Sequence, residues 1–336
     1  MGRAPSPASA PGPGQEPLVP WWRNRRVLPW LVQGGVGLAV LVLVSFLLAN
    51  LIRNLTAAGL LLSWGWLNQP AGFDIAETIL PFQASDPYWR GLLAGLVNTL
   101  RVVIAGLIGS TLLGSLLGMA SFSGNALLRR LSRLYVEVVR NIPMLLQLVF
   151  WYFAVFLALP SAAEALRLPG LTLAKSGVFL GPVSLVNGEL SGGWRLSLEL
   201  AALLTGLVVY SGAFIAEVVR GGIISVPRGQ WEAAASLGLW PFTILREVVL
   251  PQALRVIVPG LNSQYISLAK NSSLAVAIGY PDLYAVAETT LNQTGRGIEV
   301  FLILLLVYLG LDLGISLLMN RVAHLVRIRE IGRAHV

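Results

Sequence analysis

Residues 231–251 read W-E-A-A-A-S-L-G-L-W-P-F-T-I-L-R-E-V-V-L-P and lie between two long apolar segments. Pro227-Arg-Gly turns the chain ahead of them, and a short helix is expected from about Gln230. Glu232 then falls in its first turn, where a negative charge complements the positive end of the helix dipole. Trp231, Ala234, Ala235 and Gly238 recur at spacings of three and four, which places them on one face. Gly238 suits a helix C-cap, and Pro241 suits the first position of a second helix, where its missing N–H is harmless. Leu250-Pro251 marks the beginning of the next apolar segment. The expected product is a helix, a hinge and a second helix, with one alanine- and glycine-built face that a partner's groove can approach closely. A linker lying on a membrane surface would instead favour large apolar side chains and lysine.

The flanking segments set the class. The chain of 336 residues is 55% hydrophobic and only 12% charged, about half the charged share of a soluble domain, so most of its surface faces lipid or other apolar helices. A net charge of +8 raises the question of nucleic acid, but the basic residues sit beside apolar spans instead of forming one face. No nucleic-acid partner is expected. Cysteine is absent, which removes disulfides, thiol nucleophiles and Cys-ligated zinc.

Six stretches approach the roughly 20 apolar residues that a bilayer core requires: 27–52, 91–121, 141–160, 196–222, 252–280 and 298–320. Residues 1–26 are Pro/Gly/Ala/Ser-rich and read as a disordered cytoplasmic tail. The run 27–52 exceeds the roughly 7–15-residue core of a cleaved signal peptide, so it reads as an extra, retained N-terminal transmembrane helix. Arginines then orient the chain. The N-tail, 122–140, 223–251 and the C-tail hold fourteen basic residues, among them Arg3, Arg23, Arg25, Arg26, Arg129, Arg130, Arg133, Arg140, Arg228, Arg246, Arg321, Arg327, Arg329 and Arg333. The opposite side holds six: Arg53, Arg90, Arg167, Lys175, Arg195 and Arg296. That asymmetry predicts both termini in the cytoplasm, six crossings, and outside segments at 53–90 and 161–195. Residues 323–336 form the C-terminal tail, and its last six, 331–336, match the translation of a common sequencing adapter, so an artefactual ending is expected there.

Enzyme chemistry has no constellation to rest on. The only lysines are Lys175 and Lys270, and neither follows a glycine, so no phosphate-cradling G-K-S/T loop exists. No H-E-x-x-H or G-x-S-x-G is present, and the two histidines, His324 and His335, offer no metal site. No catalytic or metal-binding residue is therefore assigned. Polar residues inside the spans are the remaining candidates for a solute path: Glu217, the run Lys270-Asn271-Ser272-Ser273, and Asn98 with Thr99. Ionisable groups cost about 2.5–3.5 kcal/mol at mid-bilayer and normally face the bundle interior with a partner. Arg220 is the natural partner of Glu217, and Lys270 can bond carbonyls or extend outward. Four consecutive polar residues at 270–273 predict an interrupted helix of the kind that presents polar groups to cargo. Gly106, Ser110, Gly114 and Gly118 recur every four residues and form a small-residue ladder for close helix packing.

Glu232-Ala-Ala, Gly238 six residues later, and Leu250-Pro251 resemble the EAA loop of ATP-binding-cassette importer permeases. Val248 stands where the family usually has isoleucine. N-T-L at 98–100, Y-V-E-V-V-R-N-I-P at 135–143, I-A-E-V-V-R-G-G-I at 215–223 and L-P-Q-A-L-R-V-I-V-P-G at 250–260 extend the likeness to its polar amino-acid subfamily. N-Q-P-A-G-F-D-I-A-E-T-I-L-P-F at 68–82 is similar to an outside loop of general L-amino-acid transporters. The resemblance implies an all-α polytopic membrane protein of the type I ABC importer fold, with about six transmembrane helices. Its permease domain would cover 91–322, with a coupling loop at 225–251. Glu232, Ala233, Ala234, Gly238, Leu250 and Pro251 would position that loop in a separate ATPase, which would carry the ATP and Mg; this chain would bind no cofactor directly. Further implied partners are a second permease subunit as a heterodimer, a periplasmic amino-acid-binding protein, and the lipid bilayer of a bacterial inner membrane. The implied cargo is L-amino acids such as glutamate, glutamine and aspartate. An ion-coupled secondary transporter is the competing reading, and it would need intramembrane acids beyond Glu217.

Overall fold

A computed structural model describes residues 28–57 and 62–326. Both expected tails, the 331–336 ending, and Arg3, Arg23, Arg25, Arg26, Arg327, Arg329 and Arg333 lie outside the described residues, except for 323–326, which belong to the last helix. The chain divides into two units at Leu62/Ser63. The first contains a helix, α1 (Leu28–Ala57), which runs five residues beyond the expected 27–52. Most of its side chains are apolar, and among the described ones Leu55 alone is buried.

The second unit is a helical bundle. Its elements are α2 (Tyr88–Ala120), α3 (Ala126–Arg140), α4 (Met144–Val149, continuing as a wider π-helical turn through Phe156), α5 (Leu198–Ile224), α6 (Arg228–Ser236), α7 (Pro241–Thr243), α8 (Leu250–Asn271), α9 (Leu283–Thr294) and α10 (Gly297–Val326). The small-residue ladder of α2 is spent inside this chain. A Cβ on Gly114 would stand 2.6 Å from the Ile215 Cβ, and one on Gly118 2.7 Å from the Val219 Cβ, so α2 and α5 pack almost backbone to backbone. Gly106 faces Leu268 of α8, and Ser110 is fully buried. On the other side of α5, Gly222 lies against Ile257 of α8, and Gly260 of α8 against Val218.

Among the described residues, four helices are long and apolar enough to cross a membrane: α1, α2, α5 and α10. The α3–α4 pair, bent by 104°, would make a fifth. The expected span 252–280 is α8 followed by a 3₁₀ segment, Ser272–Ile278. Arg255, Asn262, Gln264 and Lys270 make it more polar than a span judged on composition alone. The helix does change character at Ser272, directly after Lys270-Asn271.

The all-α expectation is corrected on the segment 161–195, one of the two expected outside segments. It holds β1 (Leu166–Leu168), β2 (Leu171–Ala174), β3 (Gly177–Leu180), β4 (Ser184–Val186), β5 (Glu189–Ser191) and β6 (Trp194–Leu196). Strands β1-β2-β3-β6 form an antiparallel sheet and β4-β5 a hairpin. Its glycines are turns between short β-forming runs, not breaks in structure. Asn187 (φ 53) and Gly188 (φ 83) supply the two positive φ angles that a tight two-residue hairpin turn requires. Residues 63–87 are likewise folded: Trp66 is 5% exposed and meets the ring of Tyr88 edge-on at 5.5 Å.

Candidate coupling surface and polar path

The stretch 231–251 folds as helix, hinge and helix. Helix α6 begins at Arg228, two residues earlier than expected, so Glu232 is exposed beyond the first turn and does not complement the dipole there. Gly238 at φ 75 ends it. The Gly238 N–H donates to the Ala235 carbonyl at 2.9 Å and the Leu239 N–H to the Ala234 carbonyl at 3.4 Å, the paired bonds of a Schellman stop. Pro241 takes the first position of α7. A π-helical turn over Ile244–Val249 joins α7 to α8 just before Pro251. Proline has no N–H for the carbonyl four residues back, and its ring crowds that carbonyl, which accounts for the widened turn.

The face expected to dock is divided: Ala234 and, in part, Trp231 turn inward, while Ala235 and Gly238 stay exposed. Ala234 is 4% exposed and packs with Ile244, Val249 and Ala253, and Trp231 leans on the same cluster. Helix α6 thus uses its small residue to lie close on the bundle. The outer side carries Glu232, Ala233 and Ala235, followed by a large apolar group: Leu237 and Trp240, each 80% exposed, and Phe242 at 71%. These three were missed because the spacing rule identifies which residues share a face and not which face is buried. Leu250 and Pro251 are half-buried at the head of α8.

Glu217 pairs with Arg220 through two hydrogen bonds, one of them at 3.0 Å to Nε. Both line a cavity of about 590 Å³ between the ends of α2, α3 and α5, together with Arg133, Glu137, Arg140 and Asn141. Phe214 closes one side of it, with the Arg140 guanidinium 5.0 Å above its ring. The same Phe214 walls a second cavity of about 260 Å³, lined by Tyr210, Ser211, Ser263, Gln264 and Ser267 of α5 and α8. Two polar cavities therefore share one aromatic partition.

The 270–273 run is placed elsewhere. Lys270 Nζ lies 3.2 Å from Asp312 Oδ2 of α10, neither bonded to carbonyls nor simply extended outward. Asp312 is the lone acid of α10 after Glu299, a signal visible in the sequence and passed over. Asn271 is half-buried, while Ser272 and Ser273 return their hydroxyls to the carbonyls of Ala269 and Lys270. Asn98 and Thr99 are fully buried. The Asn98 amide donates to the carbonyls of Glu77 and Pro281, and Thr99 Oγ1 accepts from the Leu283 N–H. Those side chains fasten the 63–87 segment and the start of α9 to α2, and neither reaches a cavity surface. Arg101 completes the fastening with a 2.7 Å pair to Glu77.

A bundle with membrane-length helices, polar cavities and a protruding helix–hinge–helix is the architecture of a transport permease. Residues 110–328 match the family described as the binding-protein-dependent transport system inner membrane component, and the chain belongs to that family. It is 37% identical to the general L-amino acid transport system permease protein AapQ of Rhizobium johnstonii, over 84% of this chain and 89% of that one. It is 32% identical to the glutamate/glutamine/aspartate/asparagine transport system permease protein BztB of Rhodobacter capsulatus, over 85% of this chain and 90% of that one. A crystal structure of an amino acid ABC transporter with histidines superposes with a TM-score of 0.55 at 25% identity, covering 70% of this chain and 94% of the other.

Proposed function

We propose that this chain is the membrane subunit of an ATP-binding-cassette importer carrying L-amino acids of the polar kind, glutamate, glutamine and aspartate among them, across a bacterial inner membrane. The observation that carries the reading is the Leu237–Trp240–Phe242 group. Three large apolar side chains stand exposed around the Gly238 hinge, whose back face at Ala234 is sealed to the bundle. Exposed aromatic anchors of this sort are what a partner's groove fills, and the lack of any lysine in 228–251 sets them apart from a linker lying on the membrane surface. We assign the groove to an ATPase subunit that holds ATP and Mg, with Glu232, Ala233, Gly238, Leu250 and Pro251 setting the hinge's position and Ala234 seating it on the bundle. Six crossings with both termini on the coupling side, a second permease subunit across the pore, and an amino-acid-binding protein outside complete the assembly.

Cargo would pass the two cavities divided by Phe214. Arginines and carboxylates of Arg140, Arg220, Glu137 and Glu217 offer complementary charges to the carboxylate and ammonium of an amino acid, and Ser263, Gln264 and Ser267 offer uncharged hydrogen bonds farther along. Asn271, Ser272 and Ser273 border this route only if the 3₁₀ segment moves. An ion-driven carrier is not favoured, because Glu217 and Asp312 are both engaged by basic partners. Co-purification tests the coupling surface. Trp240→Ala combined with Phe242→Ala should cut recovery of the ATPase with this chain by about tenfold or more, at about 2 kcal/mol per anchoring aromatic. Undiminished recovery would remove the coupling assignment.

A further inference from the structure

Helix α3 has three faces. Ser132 and Tyr135 point into the bundle, where their hydroxyls donate to the carbonyls of Leu117 and Val209 at 2.6 and 2.8 Å. Leu127, Leu131, Leu134 and Val138 form a second stripe, 65%, 53%, 56% and 49% exposed, on which nothing in the bundle packs. Arg130, Arg133, Glu137 and Arg140 form a third, exposed throughout and about a quarter-turn or slightly more around from the apolar stripe at 3.6 residues per turn. Between Ala126 and Val136 there are three arginines and no acid. Arg129 is engaged with the Ser123 carbonyl, which leaves Arg130 and Arg133 to face outward.

The position of α3 gives these faces a direction. Its axis is bent by 104° from the helix that follows, so when α4 runs across the bilayer α3 lies near the membrane plane. Its later residues meet Val209 and Phe214 in the middle of α5, while its start lies beside Leu117 at the end of α2, where α5 leads on toward α6, which puts the Arg130–Arg133 part at the leaflet on the coupling side. An in-plane helix with a leucine stripe and flanking arginines has the chemistry of an interfacial helix, with leucines among acyl chains and guanidinium groups at the phosphates. An apolar stripe alone would suit any hydrophobic partner. The stripe beside it carries three arginines to one glutamate, a net positive charge that selects an anionic surface.

We propose that α3 is a binding surface for anionic phospholipid on the coupling-side leaflet, with Arg130 and Arg133 on headgroup phosphates and Leu127, Leu131, Leu134 and Val138 in the acyl region. Arg133 and Arg140 also line the 590 Å³ cavity, so lipid bound here borders the proposed cargo route without depending on what the cargo is. The absence of cysteine makes the test direct. Full-length chain carrying Leu131→Cys with a nitroxide label is placed in phosphatidylethanolamine vesicles with and without phosphatidylglycerol. The label should collide with oxygen and be hidden from a water-soluble nickel chelate. Separately, Arg130→Gln with Arg133→Gln should lower retention of phosphatidylglycerol over phosphatidylcholine by about tenfold or more, and the double lysine variant should restore it. A label open to the chelate would overturn the proposal. So would a label shielded from both reagents, as under a protein partner, or unchanged lipid retention in the glutamine variant.

Discussion

At the scale of single residues, the most constrained acid outside the spans is Asp282. It is 1% exposed, and its Oδ1 accepts from the Ala285 N–H at 2.9 Å, capping α9. Burial pushes its carboxyl up to about 7, against the backbone N–H bonds of Ala285 and Tyr284, which pull it down. Between the ordinary carboxylate range and about 7 the folded chain therefore keeps a proton that the unfolded chain releases. Stability conferred at low pH is lost as pH rises through that window, by a few kcal/mol at about 1.4 kcal/mol per unit. Asp282→Asn keeps a capping side chain and removes the charge. Thermal unfolding followed across the window should fall with rising pH in the native chain and stay nearly level in the variant. Parallel curves would show that Asp282 does not titrate there.

At the scale of elements, the hinge at Gly238 is the joint on which the coupling account turns. A Cβ there meets nothing within 4 Å, so a side chain has room, and the cost of substitution is the left-handed backbone itself, about 1–2 kcal/mol. Gly238→Val should therefore leave folding and membrane insertion intact while shifting α6 relative to α7. ATP hydrolysis by the assembled complex should continue and uptake should fall, measured together in vesicles. Uptake equal to the native complex would count heavily against the hinge. This joint was legible because glycine and proline act locally: one end-stop and one restart fix helix boundaries without knowledge of the rest of the fold. The burial of Ala234 was not legible, because it depends on Ile244 and Val249 folding back beneath α6. The strands at 166–196 were missed for a related reason. Glycine and proline mark turns in a hairpin as readily as they mark breaks in a helix, and only the alternating runs L-R-L and L-T-L-A between them distinguish the two.

At the scale of the whole molecule, tight α2–α5–α8 packing through glycine holds a rigid frame, while the sealed-down hinge lies at one end of α8 and two polar cavities lie along α5. The sequence displayed the long apolar helices plainly. It concealed which polar residues serve the frame and which face open space: Asn98 and Thr99 became fasteners, while Ser263, Gln264 and Ser267 lined a cavity. Short polar residues look alike in a string, and the distinction lies in neighbours far along the chain, such as Glu77, Pro281 and Leu283. In the proposed reading the hinge takes the energy input and the cavities take the cargo, two parts of a single two-state device. Uptake of labelled glutamate measures this directly, in vesicles holding this chain with its partner permease and ATPase, the binding protein outside and ATP inside, and with unlabelled amino acids as competitors. Uptake should require ATP, the binding protein and this chain together, and other L-amino acids should compete with it. Uptake by this chain alone, driven by an ion gradient without ATP, would contradict the importer reading.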